Sequence, residues 1–187
     1  MAEQRLAAGI ERATRLVEQL LSMARHENNA EQPPAEAVDL ADVVRLALSE
    51  TLPAANAKDI GIELQGAPQA MVRGRRDDLV LLARNLLDNA IKYAPAGGHI
   101  EIRLETPPEG ARLLIDDDGP GIPPAERARV FDRFYRLEGN AQPGSGLGLA
   151  IARAIAQRHG EAITLEDVPG GTGLRALVAF PPAQAPT

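Results

Sequence analysis

Leu6, Ile10, Ala13, Val17, Leu20 and Ala24 recur at spacings of 4, 3, 4, 3 and 4. That is the apolar seam of a helix that packs in a bundle or coiled coil. It predicts a helix over residues 3–27. The run "ENNAEQPPAEAV" breaks the period with paired Asn and Pro and reads as a linker. Asp39 is placed to cap a second helix, "LADVVRLALSETLPAANA", after which "IGIEL" and "AMVR" read as short strands. A third helix is expected from Asp77 to Ala94, with Asp77 its candidate cap and Pro95 and Gly97-Gly98 its stop. "HIEIRLE" and "ARLLID" alternate as two hairpin strands across "TPPEG". A short helix "PAERARVFDRFYR", a polar loop and a helix "LAIARAIAQRH" follow, the last stopped by Gly160 at C′. Strands "EAITLE" and "TGLRALVAF" flank Gly170-Gly171, and "PPAQAPT" has the composition of a disordered tail. The order implies a two-layer α/β sandwich, with helices on one face of a mixed sheet.

Within the third helix, "NLLDNAIKYAP" raises a chemical question. Asn disfavours helix interiors because its amide competes for backbone groups. At about 100° per residue, Asn85, Asn89 and Lys92 project within about 60° of one another. Leu82, Ala83, Leu86, Ala90 and Ile91 take the other side, toward the sheet. Such a stripe is either the helix's solvated side or a site: an amide oxygen is a hard ligand for Mg²⁺, and lysine a point charge for phosphate. Two further segments carry the same ambiguity. "LIDDDGPGI" sets three acids before Gly119-Pro120-Gly121, as an acidic turn or as a carboxylate for an exocyclic amine such as adenine's. "PGSGLGL" sets Gly144, Gly146 and Gly148 before a helix, as a mobile turn or as an anion cradle.

Composition narrows the classes. With 187 residues, 44% hydrophobic and 25% charged, the chain suits one globular domain with an appendage. No apolar run approaches the ~20 residues of a membrane-spanning helix, and "MAEQRLAAGIERATRL" is not a signal peptide. Zero cysteines excludes disulfides, thiolate metal sites and cysteine nucleophiles, and fits a reducing compartment. A net charge of −6 argues against nucleic acid as partner, and the absence of Trp removes most stacking platforms.

Taken together and in order, the segments resemble the catalytic, ATP-binding domain of two-component sensor histidine kinases, of the GHKL superfamily. "RNLLDNAIKYAP" resembles that family's N box and "DDGPGI" its G1 box. "VFDRFYR" resembles the F box, "GSGLGL" the G2 box and "PGGTGL" the final glycine motif. "GIERATRLVEQLLSMAR" is similar to the second helix of the dimerisation and phosphotransfer hairpin.

The resemblance implies the GHKL ATP-binding fold over residues 39–181. Before it would come the hairpin helix over 1–28 and a linker over 29–38, and after it a tail over 182–187. It implies ATP and Mg²⁺ as ligands, with Asn89 on the metal and Asn85 beside it. Lys92 and Arg136 would meet phosphates, Tyr93 would pack near the nucleotide, and Asp117 would hold the adenine amino group between Gly119 and Gly121. Phe131 and Phe134 would anchor a lid. Gly144, Ser145, Gly146, Leu147, Gly148 and Thr172 complete the expected nucleotide contacts, and Asn85, Lys92 and Arg136 the expected catalytic set.

The family's chemistry is transfer of a γ-phosphoryl group to histidine. Its acceptor motif has no counterpart here, and His26, His99 and His159 lack a suitable local carboxylate. A catalytic portion is therefore expected, working with an acceptor helix missing from this chain. In the whole kinase the resemblance implies a homodimer, a response-regulator receiver domain as partner, and a cytoplasmic position in a membrane-anchored sensor. A serine kinase of the anti-sigma type, or a nucleotide-binding module without catalysis, are the other members of the superfamily that suit the motifs.

Overall fold

The structure, a computed structural model, describes residues 35–137 and 145–182. The helix expected over 3–27, His26, residues 29–34 of the linker, Gly144 and residues 183–187 of the tail lie outside the described residues. Helix α1 spans Leu40–Asn56 and α2 Arg76–Tyr93, and α3 spans Gly148–Arg158. The strands are β1 (Glu36–Asp39), β2 (Gly61–Gly66), β3 (Met71–Gly74), β4 (His99–Glu105), β5 (Ala111–Asp117), β6 (Ala162–Asp167) and β7 (Leu174–Phe180).

Five strands form one mixed sheet in the order β2-β4-β5-β7-β6, parallel only between β2 and β4. Register decides what each face carries. Ile100 pairs with Asp117 and Asp117 with Leu174, so alternate positions line up across the central strands. Ile100, Ile102, Leu104, Leu113, Ile115, Ala176 and Val178 share that face and are buried. Helix α2 packs over β5, flanked by α1 and α3. Leu79, Leu82, Leu86 and Leu87 of α2 are at most 2% exposed, each contributing roughly 1.5–3 kcal/mol through burial. On the other face Asp116 accepts from Arg103 Nη2 at 2.8 Å and from Arg175 Nε and Nη2 at 2.8 and 2.7 Å. One carboxylate thereby stitches β4, β5 and β7 together.

Several expectations need correction. Residues 36–38 of the expected linker are strand: β1 pairs antiparallel with β3, a partner more than thirty residues away that no local pattern reveals. Asp39 does cap α1, as expected, its Oδ1 accepting from Ala41 N–H at 3.0 Å and from Ala70 N–H at 2.9 Å. Asp77 caps nothing. Helix α2 starts at Arg76 with Arg75 at the N-cap and no side-chain cap, and Asp77 sits within the first turn. There Asp78 accepts from Arg75 Nε at 2.7 Å and Arg158 Nη2 at 3.0 Å, joining the start of α2 to the end of α3.

The segment 124–136 is not one helix but two 3-10 turns, Pro124–Glu126 and Arg129–Phe131. Asp132 is extended and Phe134 has φ +65°, which ends any helical path. Gly160 holds the C′ position expected of it, with φ +72°. Its N–H donates to Gln157 O and that of Glu161 to Ala156 O, at 3.2 and 2.9 Å. His159, which caps α3, is a neutral, buried side chain. Its side chain is 4% exposed. Nε2 accepts from Arg75 N–H at 3.1 Å, so Nδ1 holds the proton and donates to Ile155 O at 2.9 Å. Burial lowers the imidazole pKa and keeps the ring neutral.

Candidate functional site

The amide stripe of α2 lies at a seam with α3. Asn85 is only 6% exposed, so it is not on a wet face. Its Nδ2 donates to Leu81 O at 2.8 Å, and its Oδ1 lies 3.3 Å from where a Cβ on Gly148 would stand. Glycine at 148 thus lets the first turn of α3 come up to the asparagine. That turn has no side-chain cap on its helical N–H groups, which leaves the amides of Gly148, Leu149 and Ala150 without a partner among the described residues, at the positive end of the helix dipole. Asn89 and Lys92 are half-buried further along α2, with Lys92 Nζ 4.6 Å from the centre of the Tyr93 ring. Asn85 Oδ1 and the Asn89 amide have no hydrogen-bond partner among the described residues. Unsatisfied amide oxygens of this kind fit a hard divalent cation. Among the described residues no cluster of three His, Asp or Glu could hold a metal, so a cation here would share its ligands with an anionic partner.

Asp117 closes β5 on the helix-covered face. It is 6% exposed, and its Oδ1 accepts from Gly119 N–H at 2.9 Å. Two glycines are required around it. A Cβ on Gly119 would stand 2.8 Å from Tyr93 O, and one on Gly173 1.7 Å from Asp117 O. The end of α2, the turn after β5 and the start of β7 therefore touch through main chain alone, leaving the carboxylate pinned between them. Burial pushes the Asp117 carboxyl up to about 6, against the lowering effect of the Gly119 and Leu174 amides. It remains ionised at neutral pH and can accept from an amino group. If Asp117 holds the adenine amino group, as the resemblance implies, binding of an adenine nucleotide should weaken as pH falls through about 6, measured by calorimetric titration between pH 5 and 7.5. Asp117→Asn should flatten that profile and erode the preference for ATP over GTP; unchanged selectivity would remove Asp117 from base recognition.

The remaining expected residues are placed less closely together. Phe134 is 64% exposed, and most of the lid it is expected to anchor lies outside the described residues. Phe134 acts through its backbone: its N–H donates to Gly146 O at 3.0 Å, and a Cβ on Gly146 would stand 2.8 Å from Phe134 C. This clasp joins the F-box and G2-box segments. Phe131 is half-buried under the guanidinium of Arg153, 5.4 Å from its ring centre. Tyr135 donates through its hydroxyl to Glu126, and Arg129 lies 4.5 Å over its ring. Ser145 Oγ accepts from Leu147 N–H at 3.3 Å, and Leu147 is fully buried. Arg136 is exposed at the edge of the described segment. Thr172 is exposed and, with Gly121 and Gly173, lines a cavity of about 310 Å³ beside the turn after β5.

Two residues beside the site were not singled out from the sequence. Gly173 stood only within the "PGGTGL" motif, and its contact with Asp117 needs the β5–β7 register. Lys58 gave no signal; its Nζ reaches the carbonyls that end α2.

Residues 74–184 match the family model for histidine kinase-, DNA gyrase B- and HSP90-like ATPases. The chain is 36% identical, over 95% of its length, to the swarming motility regulation sensor protein RssA of Serratia marcescens, of which it spans 38%. A solved structure of the mycobacterial sensor histidine kinase MprB superposes with a TM-score of 0.72 at 36% identity, covering 80% of this chain and 98% of that one. Full-length ShkA in complex with AMPPNP superposes with a TM-score of 0.79 at 27% identity, covering 100% of this chain and 40% of that one. The chain thus spans less than two fifths of the curated relative it matches.

Proposed function

The chain belongs to the histidine kinase-, DNA gyrase B- and HSP90-like ATPase family, as the ATP-binding catalytic domain of a sensor histidine kinase, and from that premise we propose where it holds Mg-ATP and what it does with it. The nucleotide lies between α2, the turn after β5 and the first turn of α3. The observation that carries this reading is the buried, ionised Asp117 carboxylate on one side and, on the other, Asn85 Oδ1, the Asn89 amide and the α3 N-terminal N–H groups, none with a partner among the described residues.

Asp117 accepts from the adenine amino group, with Gly119, Gly121 and Thr172 beside the base and Tyr93 near it. Lys92 and Arg136 neutralise phosphate charge, and the amides of Gly146 and Gly148 face the phosphates. Mg²⁺ would be held by Asn89 with Asn85 beside it, and would supply charge to offset that of the phosphate oxygens. The reaction places a histidine nitrogen in line with the γ-phosphorus. The new N–P bond forms as the bond to the bridging oxygen breaks, releasing ADP and the imidazole proton. Little covalent work falls to the protein, so positioning and charge carry the step.

The acceptor histidine belongs to a separate hairpin helix. His159 is buried as a neutral structural group, and His99 is exposed at the head of β4, tied to the site only through its main-chain N–H on Asp118. In the whole kinase we place the domain in a homodimer on the cytoplasmic side of a membrane-anchored sensor, passing phosphate to a response-regulator receiver domain. Among the described residues no helix is long and apolar enough to cross a membrane.

The test is incubation with Mg²⁺ and γ-labelled ATP, with and without an acceptor hairpin from a related kinase. Acid-labile, alkali-stable label is expected on the added hairpin and not on this chain. Label on this chain alone would overturn the assignment of a separate acceptor, and label on serine would favour the anti-sigma type of kinase.

A further inference from the structure

Helical geometry leaves the last carbonyls of α2 without intrahelical partners, and a single side chain from another element gathers them. Lys58, in the turn between α1 and β2, directs its ammonium at Ile91 O (2.7 Å), Lys92 O (3.0 Å) and Ala94 O (2.6 Å). All three of its N–H donors are thereby used, and its charge faces the negative end of the helix dipole. The main chain of the same residue holds the next loop, Lys58 O accepting from Gly97 N–H at 2.9 Å.

Both arms lead to the nucleotide site. Through the side chain, Lys58 fixes the carbonyls on either side of Tyr93, and Tyr93 O is what a Cβ on Gly119 would strike at 2.8 Å. Gly119 N–H in turn holds Asp117 Oδ1. Through the main chain, Lys58 seats Gly97 and hence Gly98, packed so closely on Asp118 that a Cβ there would stand 2.7 Å from its Oδ1. His99 N–H donates to Asp118 Oδ2 at 2.9 Å on the same turn. Lys92 and Tyr93 at the end of α2 and the acidic turn after β5 thus share one tether.

Resting on the reading of this site as an ATP site, we infer that Lys58 is a positioning residue for nucleotide binding. It sets the end of α2 against the Asp117–Gly119 turn without touching the ligand. Lys58→Met keeps the stem and removes charge and donors; Lys58→Arg keeps both. Lys58→Met should bind Mg-ATP about tenfold more weakly, measured by calorimetry at a temperature where circular dichroism shows it fully folded. Lys58→Arg should recover most of the loss. Amide exchange in Lys58→Met should quicken at Ala94–Gly98 and at Gly119, with α1 and β7 unchanged. Wild-type affinity in folded Lys58→Met, or unchanged exchange at Gly119, would overturn the inference. The exchange arm needs no ligand. If the unaltered chain itself failed to bind ATP, the ATP reading would fall while exchange still decided the role of Lys58.

Discussion

Replacing Asn89 by alanine should lower Mg-dependent ATP affinity on the order of 100-fold while leaving the unfolding midpoint within a degree or two of the parent. The size follows from what the side chain does. A neighbour that only orients a metal ligand commonly costs 10–100-fold when removed, so Asn89, proposed here as a direct ligand, belongs at the upper end. The small effect on stability follows from its surroundings. Asn89 is half-buried and has no hydrogen-bond partner among the described residues, so alanine strands no buried group and better suits a helix. Titration with ATP in Mg²⁺ and again in EDTA separates the metal from the base. The variant should retain the weak, metal-free binding that Asp117 supports. Undiminished affinity in Mg²⁺ would sink the ligand role.

The second large effect concerns stability. Glu161 follows Gly160 at the end of α3, is 6% exposed, and has no hydrogen-bond partner for either carboxyl oxygen. Burial alone pushes its pKa up to about 8, from 4.5. Between those values the folded chain keeps a proton that the unfolded chain releases, so stability falls as pH rises from about 4.5 to about 8 and levels off above. At ~1.4 kcal/mol per pH unit, the loss between pH 5.5 and 8 is on the order of 3 kcal/mol. Asp117 adds to the slope at its acid end, whereas His159, held neutral, opposes it up to the ordinary histidine range. Glu161→Gln isolates the carboxyl. Urea unfolding at the two pH values should show the parent losing several kcal/mol more than the variant, and parallel profiles would mean that Glu161 ionises normally.

Legibility from sequence tracked locality. Helix α1, its Asp39 cap, the β4–β5 hairpin and the Gly160 stop each depend on residues within one or two turns, and all were readable. The site motifs were readable because close main-chain approach demands glycine at fixed offsets, as at Gly119 and Gly148. The β1–β3 pairing, the Lys58 bonds spanning 33 to 36 residues and the burial of Asn85 against Gly148 arise from tertiary contact. No periodicity encodes them. The 124–136 segment misled because its helix-forming composition yields to Pro123, Pro124 and the positive φ of Phe134.

The strand order has a last consequence, for colloidal behaviour. The mixed sheet is bounded by β2 and β6, whose sequences GIELQG and AITLED contain acids and no lysine or arginine. The arginines Arg103, Arg112 and Arg175 all lie on interior strands. Two copies meeting edge to edge would bring Glu63 or Glu166 against acids of the same kind, whereas Asp167 is already paired with Arg127 from the turn after β5. Sheet extension between molecules is therefore opposed at neutral pH and modest salt, and freed of that opposition where the carboxylates are protonated or screened.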